Sequence, residues 1–271
     1  MTRGNDEREV LRDGELTVLG RIRSASNATF LCESTLGDRV VHCVYKPISG
    51  EAPLWDFPDG TLAGRELAAY LVSAALGWNI VPHTIIRDGP AGPGMLQLWI
   101  DQPGDQADSE PDPRPDLVDL FPVGTPRDGY LPVLRAYDHV GDEVILMHAD
   151  DTTLRRMAVF DVLVNNADRK GGHILRGLDG HVYGVDHGVS LHVEDKLRTV
   201  LWGWAGKPVG DATLVDVARL ADALSDQLAE ELTGLITEAE VAALRDRVRA
   251  LLDNPVMPGP NRHRPIPWPA F

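Results

Sequence analysis

The stretch Phe160-Asp161-Val162-Leu163-Val164-Asn165-Asn166-Ala167-Asp168-Arg169-Lys170-Gly171-Gly172-His173-Ile174-Leu175, followed by Val182-Tyr183-Gly184-Val185-Asp186-His187-Gly188, decides how the chain is read. An apolar helix runs into a polar loop, a short strand pair follows, and an aspartate stands after an apolar strand, just before a glycine turn. Phosphoryl transfer asks for one carboxylate to place an attacking hydroxyl and another to hold a metal on the phosphates. Asp168 and Asp186 are spaced for those two tasks.

Upstream, the segments ELTVLGRI, ATFLCES and RVVHCVYK are rich in β-branched or aromatic residues and separated by short polar turns, which predicts a small antiparallel sheet within the first 46 residues. Apolar residues from Thr61 to Val72 recur at helical spacing, with a stop near Gly77, and a further strand pair is expected around 84–86 and 95–100. Lys46 ends the third strand, with Val44 on the same face. Glu66 lies on the following helix, where a carboxylate can pair with such a lysine and orient it.

Downstream, residues 101 to about 129 are acidic and proline-rich, a composition that reads as a loop. Helices are predicted over 152–164, over 212–232, and after the capping box Thr237-Glu238-Ala239-Glu240, whose Val241, Leu244, Val248 and Leu251 share one face. The tail PVMPGPNRHRPIPWPAF is held extended by its prolines. The order is α+β: a 1–100 N-lobe of sheet plus helix ending at a hinge, a 101–130 acidic loop, and a mainly helical 131–271 C-lobe.

Composition narrows the function classes. The 271 residues are 43% hydrophobic, enough for a proper core. The net charge of -15 disfavours nucleic-acid partners and stable membrane association, because both want a basic face. No run approaches the roughly 20 apolar residues of a membrane span, and the charged N-terminus is unlike a signal peptide, so a cytoplasmic location is expected. Cys32 and Cys43 flank the turn at Gly37-Asp38 and should face each other, a placement open to a cross-strand disulfide but, in a reducing compartment, expected to hold two packed thiols. The nine histidines show no HExxH-type spacing.

The run NADRKGGHIL, then YGVDHG, together with VYKP at 44–47 and RELAAYLVSAALGWNIVPHT at 65–84, resembles the phosphatidylinositol 3- and 4-kinase-like superfamily. Type II phosphatidylinositol 4-kinases and the bacterial proteins grouped with them look most similar, over roughly residues 20 to 190. The resemblance implies a two-lobed protein-kinase-like fold that uses ATP with Mg2+ or Mn2+. It implies that Lys46 contacts the phosphates, that Glu66 positions it, that Asp168 is catalytic and that Asp186 binds metal. Gln97, Leu98, Trp99 and Ile100 resemble the hinge that reads adenine, with Val44 beside it, and the turn at 24–27, with Ser26 and Asn27, lies where a phosphate-covering loop belongs. His173 stands where kinases usually place a metal-binding asparagine, and imidazole suits manganese better than magnesium.

The resulting expectation is an ATP-dependent phosphotransferase acting on an unidentified soluble protein or small-molecule hydroxyl. Two alternatives stay open: a nucleotide-binding pseudokinase serving as switch or scaffold, and an AMP transferase. No acylation motif or basic amphipathic helix equips the chain for a lipid surface.

Overall fold

The structure, a computed structural model, describes residues 3–22, 27–104, 114–125, 127–261 and 263–271. It opens on a helix, α1 (Arg3–Asp13), that the strand-rich reading of the N-terminus did not anticipate. There follow β1 (Glu15–Arg21), β2 (Phe30–Leu36) and β3 (Arg39–Pro47), then α2 (Leu62–Leu76) and the pair β4 (Thr84–Gly89) and β5 (Gly92–Leu98). These five strands form one antiparallel sheet in the order β1-β2-β3-β5-β4.

Strand alternation divides the sheet's residues between two faces. Cys32, Cys43, Tyr45 and Leu96 are fully buried in one cluster with Leu11 of α1. Cys32 sits directly across from Cys43, and both are free thiols whose pKa burial pushes up, to about 11 and about 12. Val44 and Lys46 therefore look to the other face, where α2 packs.

α2 begins where the sequence placed it. The Thr61 hydroxyl accepts the Gly64 N–H at 2.9 Å, and the Glu51 carboxylate takes the Leu62 and Ala63 N–H groups, so the orphan amides of the first turn are satisfied. The helix ends at Gly77, whose φ of +69° is the left-handed conformation glycine adopts without strain.

Between 118 and 149 the chain departs from expectation. β6 (Val118–Pro122), β7 (Tyr130–Tyr137) and β8 (Glu143–Ala149) form a second antiparallel sheet in the order β6-β8-β7, so β6 lies inside the stretch read as acidic loop. β7 and β8 lie in the part expected to be mainly helical, and β7 contains Pro132. The strand tolerates it because β7 is an edge strand whose pairing shifts between Pro132 and Leu134.

Beyond it, α3 (Thr152–Val164) spans the predicted residues, capped by Asp151, whose carboxylate accepts the Thr153 and Leu154 N–H groups. The hairpin of β9 (Ile174–Arg176) and β10 (Val182–Gly184) follows. The helix predicted over 212–232 is two helices, α4 (Asp211–Ala223) and α5 (Gln227–Thr233), broken at 224–226, where Ser225 and Asp226 interrupt the helical hydrogen bonding. In α6 (Glu238–Asp253) both halves of the capping box form.

The main core joins α2 to α3 through α6, with Val72, Leu76, Leu154, Phe160, Leu163, Trp204, Leu220, Leu244 and Val248 almost fully buried. The order is thus α+β, an N-terminal antiparallel sheet followed by a mainly helical C-terminal part. Among the described residues no helix is long and apolar enough to cross a membrane.

Candidate active site

Lys46 at the end of β3 and Glu66 on α2 meet at 2.7 Å, with Glu66 only 1% exposed. The same ammonium lies 2.7 Å from Asp186 Oδ1. Glu66 uses its second oxygen to accept the backbone N–H of His187 at 2.9 Å, so one buried carboxylate ties the strand lysine to the Asp186-His187-Gly188 turn. Burial works against the Lys46 charge, but Asp186 and Glu66 outweigh it and hold the ammonium above its ordinary pKa. The Lys46 charge in turn holds the Asp186 carboxyl well below the usual range, against the effect of burial. Asp186 is in the left-handed region at φ +61°, which aims its half-exposed side chain back under the sheet.

α3 delivers the second carboxylate. The helix ends at Asn165, also left-handed at φ +52°, whose side chain donates to the carbonyls of His192 and Glu194 and accepts the Lys196 N–H. The loop that follows is shaped by Asn166, whose side-chain oxygen accepts the Asp168 N–H, and by His173, whose Nδ1 lies 2.9 Å from the Asp168 carbonyl. Nδ1 must therefore carry the proton, which leaves Nε2 as a lone-pair donor, 3.4 Å from Asp186 Oδ2. Burial raises the Asp168 pKa, opposed by Lys170 at 3.2 Å, and burial lowers that of His173, opposed by Asp186.

Asp168, His173 and Asp186 can each offer one ligand atom, and these atoms lie within 4.8 Å of one another. Two carboxylate oxygens and one unprotonated imidazole nitrogen, with open space beside them, are a fit donor set for a divalent ion.

Beside this cluster lies a cavity of about 310 Å³, with Ile22, Thr29, Val44 and Lys46 on the sheet side, Gln97, Leu98, Trp99, Ile100 and Gln102 along one wall, and Gly172, His173, Leu175, Val185 and Asp186 opposite. It brings together Val44, Lys46, all four hinge residues, His173 and Asp186 from the sequence-predicted set. Glu66 and Asp168 stand behind its lining. Asn27 is not part of the lining, and its side-chain oxygen accepts the Ala52 N–H. Ser26 lies outside the described residues. The amides of Leu98 and Trp99 already donate to the carbonyls of His83 and His42, and the Gln97 side chain donates to Thr84.

Sequence reasoning missed the residue that holds these loops in place. Arg169 is fully buried and paired through Nε and Nη2 with Asp161 of α3 at 3.0 to 3.1 Å. Its Nη1 donates to the carbonyls of His173 and Val185, and Nη2 meets His187 Nε2 at 2.6 Å. Helix α3, the loop that carries Asp168 and His173, and the Asp186-His187-Gly188 turn thus converge on one guanidinium. Because Nε2 accepts from Arg169, His187 is neutral; burial and that positive charge push its pKa well down. Gly184 is needed here, since a Cβ would come within 2.9 Å of the pinned guanidinium. The available signal was Asp161 itself, a charge inside the apolar run Ala158 to Val164 that must be buried and so must be paired.

No protein-family model matches the chain. In sequence it is 77% identical over 271 residues to Protein Rv2133c of Mycobacterium tuberculosis, across 100% of this chain and 98% of that protein, and it belongs to the same family. Among solved structures it is similar to the Helicobacter pylori proinflammatory kinase CtkA, with a TM-score of 0.47 at 10% identity, covering 90% of this chain and 93% of that one.

Proposed function

We propose that the chain, with its family, is an ATP-dependent phosphotransferase whose nucleotide lies in the cavity between the five-stranded sheet and the β9–β10 hairpin. The observation that carries this reading is the single ammonium of Lys46 held at 2.7 Å by both Glu66 and Asp186, over the Asp168–His173–Asp186 cluster. A lysine so oriented suits phosphate oxygens, and the apolar walls Ile22, Val44, Leu175 and Val185 suit a purine. With the Leu98 and Trp99 amides already engaged, the base would be read by backbone groups toward Ile100.

The resemblance of VYKP, NADRKGGHIL and YGVDHG to the phosphatidylinositol 3- and 4-kinase-like superfamily supports the same roles. A divalent ion bound by the cluster would neutralise phosphate charge. Asp168, its pKa raised by burial, would accept the proton of an acceptor hydroxyl, while Lys170 at 3.2 Å keeps a positive charge beside it. The sheet-plus-α2 part and the helical part would act as two lobes around the cleft, joined at residues 97–101.

The test is single-turnover ATP consumption by the wild type and by Asp168→Ala. With ATP and metal saturating for each protein, the variant should lose at least about 100-fold in turnover. Equal turnover in the two would remove Asp168 from the chemistry.

A further inference from the structure

The final residues of the chain lie against the loop that carries Asp168. The Pro265 carbonyl accepts two hydrogen bonds, from the Thr199 N–H at 3.1 Å and the Trp202 indole N–H at 2.9 Å. Pro267 is buried, and the Ala270 carbonyl accepts the Gly171 N–H at 2.8 Å. The Phe271 ring then rests on Gly171, so closely that a Cβ there would stand 2.6 Å from it. Trp268 between them is 90% exposed. Three donors on the body of the protein therefore read carbonyls of a segment whose residues 265, 267 and 269 are prolines with no N–H to satisfy.

The contact is three residues from Asp168, and it borders the nucleotide cavity. Phe271, Gly171 and Gly172 bound a second cavity of about 370 Å³, and Gly172 and Gln102 line both cavities. The half-exposed Phe271 ring seated on Gly171 supplies the apolar contact.

We infer that the surface formed by Thr199, Trp202 and Gly171 is a binding groove for a proline-containing protein segment with an aromatic anchor, filled in cis by residues 265–271. On the phosphotransfer reading, the segment that displaces the tail belongs to the protein acceptor. The tail then acts as a built-in competitor for the acceptor side of the loop.

The experiment uses the full chain and the labelled synthetic peptide PIPWPAF, titrated by fluorescence anisotropy into the wild type and into Phe271→Ala, whose tail has lost its anchor. The peptide should bind Phe271→Ala about tenfold more tightly than the wild type, and the peptide PIPWPAA should bind that variant about tenfold more weakly than PIPWPAF. Adding Gly171→Ala to Phe271→Ala, which puts a methyl group where the ring sits, should weaken PIPWPAF to a similar degree. Equal affinity of PIPWPAF for wild type and Phe271→Ala, or equal affinity of the two peptides, would overturn the inference. Because the readout is binding, a chain that consumes no ATP would sink the phosphotransfer reading and leave the groove standing.

Discussion

Glu66 accepts the backbone N–H of His187 across 121 residues of sequence, at 2.9 Å, while its other oxygen holds Lys46. The position of the Asp186 turn is thereby coupled to Lys46 of β3 through a carboxylate that water barely reaches.

Removing the lysine should separate binding from stability. Lys46→Ala leaves the Glu66 carboxylate buried with a backbone N–H as its remaining partner, a loss of about 1–3 kcal/mol in folding. ATP affinity should fall at least about tenfold. In Lys46→Ala/Glu66→Gln the buried charge is gone, so denaturant unfolding should recover most of the lost stability while calorimetry shows affinity still low. A double variant no more stable than Lys46→Ala would contradict the pairing.

The Arg169–Asp161 pair should behave differently, because both side chains are fully buried. Arg169→Met leaves Asp161 as an uncompensated charge, and the expected cost is about 3–5 kcal/mol in unfolding free energy. Nucleotide binding should fail with it, since His173, Val185 and His187 lose their common anchor. Near-wild-type stability in urea would mean that the guanidinium is not the hub its geometry indicates.

These two pairs show what the sequence discloses and what it hides. Helix α3 could be read residue for residue because its apolar spacing and its polar end agree, and Lys46, Asp168 and Asp186 stood out because each sits at the end of an apolar element. The second sheet was hidden because the acidic, proline-rich approach to β6 read as loop, and because Pro132 in β7 is compatible with a strand only through an edge placement that the sequence does not display. The convergence of a helix, a loop and a turn on Arg169 is a tertiary fact: the residues it binds lie 4 to 18 positions from it and no local period links them.

Acidification should destabilise the chain before its carboxylates titrate. Burial, aided by Arg8 and Arg12, pushes His83 down to about 4, and burial likewise lowers His148, whose Nε2 accepts the Gly203 N–H. Rings neutral in the folded chain take up protons only on unfolding, so their contribution is complete above the ordinary value of 6.5 and is lost as the pH falls toward about 4. Melting temperatures compared at about pH 7.5 and about pH 5 should show a drop. A value that holds or rises on acidification would contradict the neutral assignment.

His173 should set the metal preference. With Nδ1 donating to the Asp168 carbonyl, Nε2 is the free ligand, and manganese should support ATP binding at least as well as magnesium. His173→Asn should shift the preference toward magnesium in parallel titrations. A wild type with a strong magnesium preference that the substitution leaves untouched would take His173 out of the metal site.

The cleft itself is tested by the melting temperature of the chain with ATP and a divalent ion, together and singly. At about 100 times its dissociation constant a ligand stabilises the folded state by about 2.7 kcal/mol, a rise of about 5 to 10 °C for a chain of this size. The wild type should show that rise with ATP and metal together, and Asp186→Ala should lose the metal-dependent part, because its carboxylate is the one shared by Lys46 and the cluster. A wild-type melting temperature that neither ATP nor metal moves would contradict the nucleotide cleft.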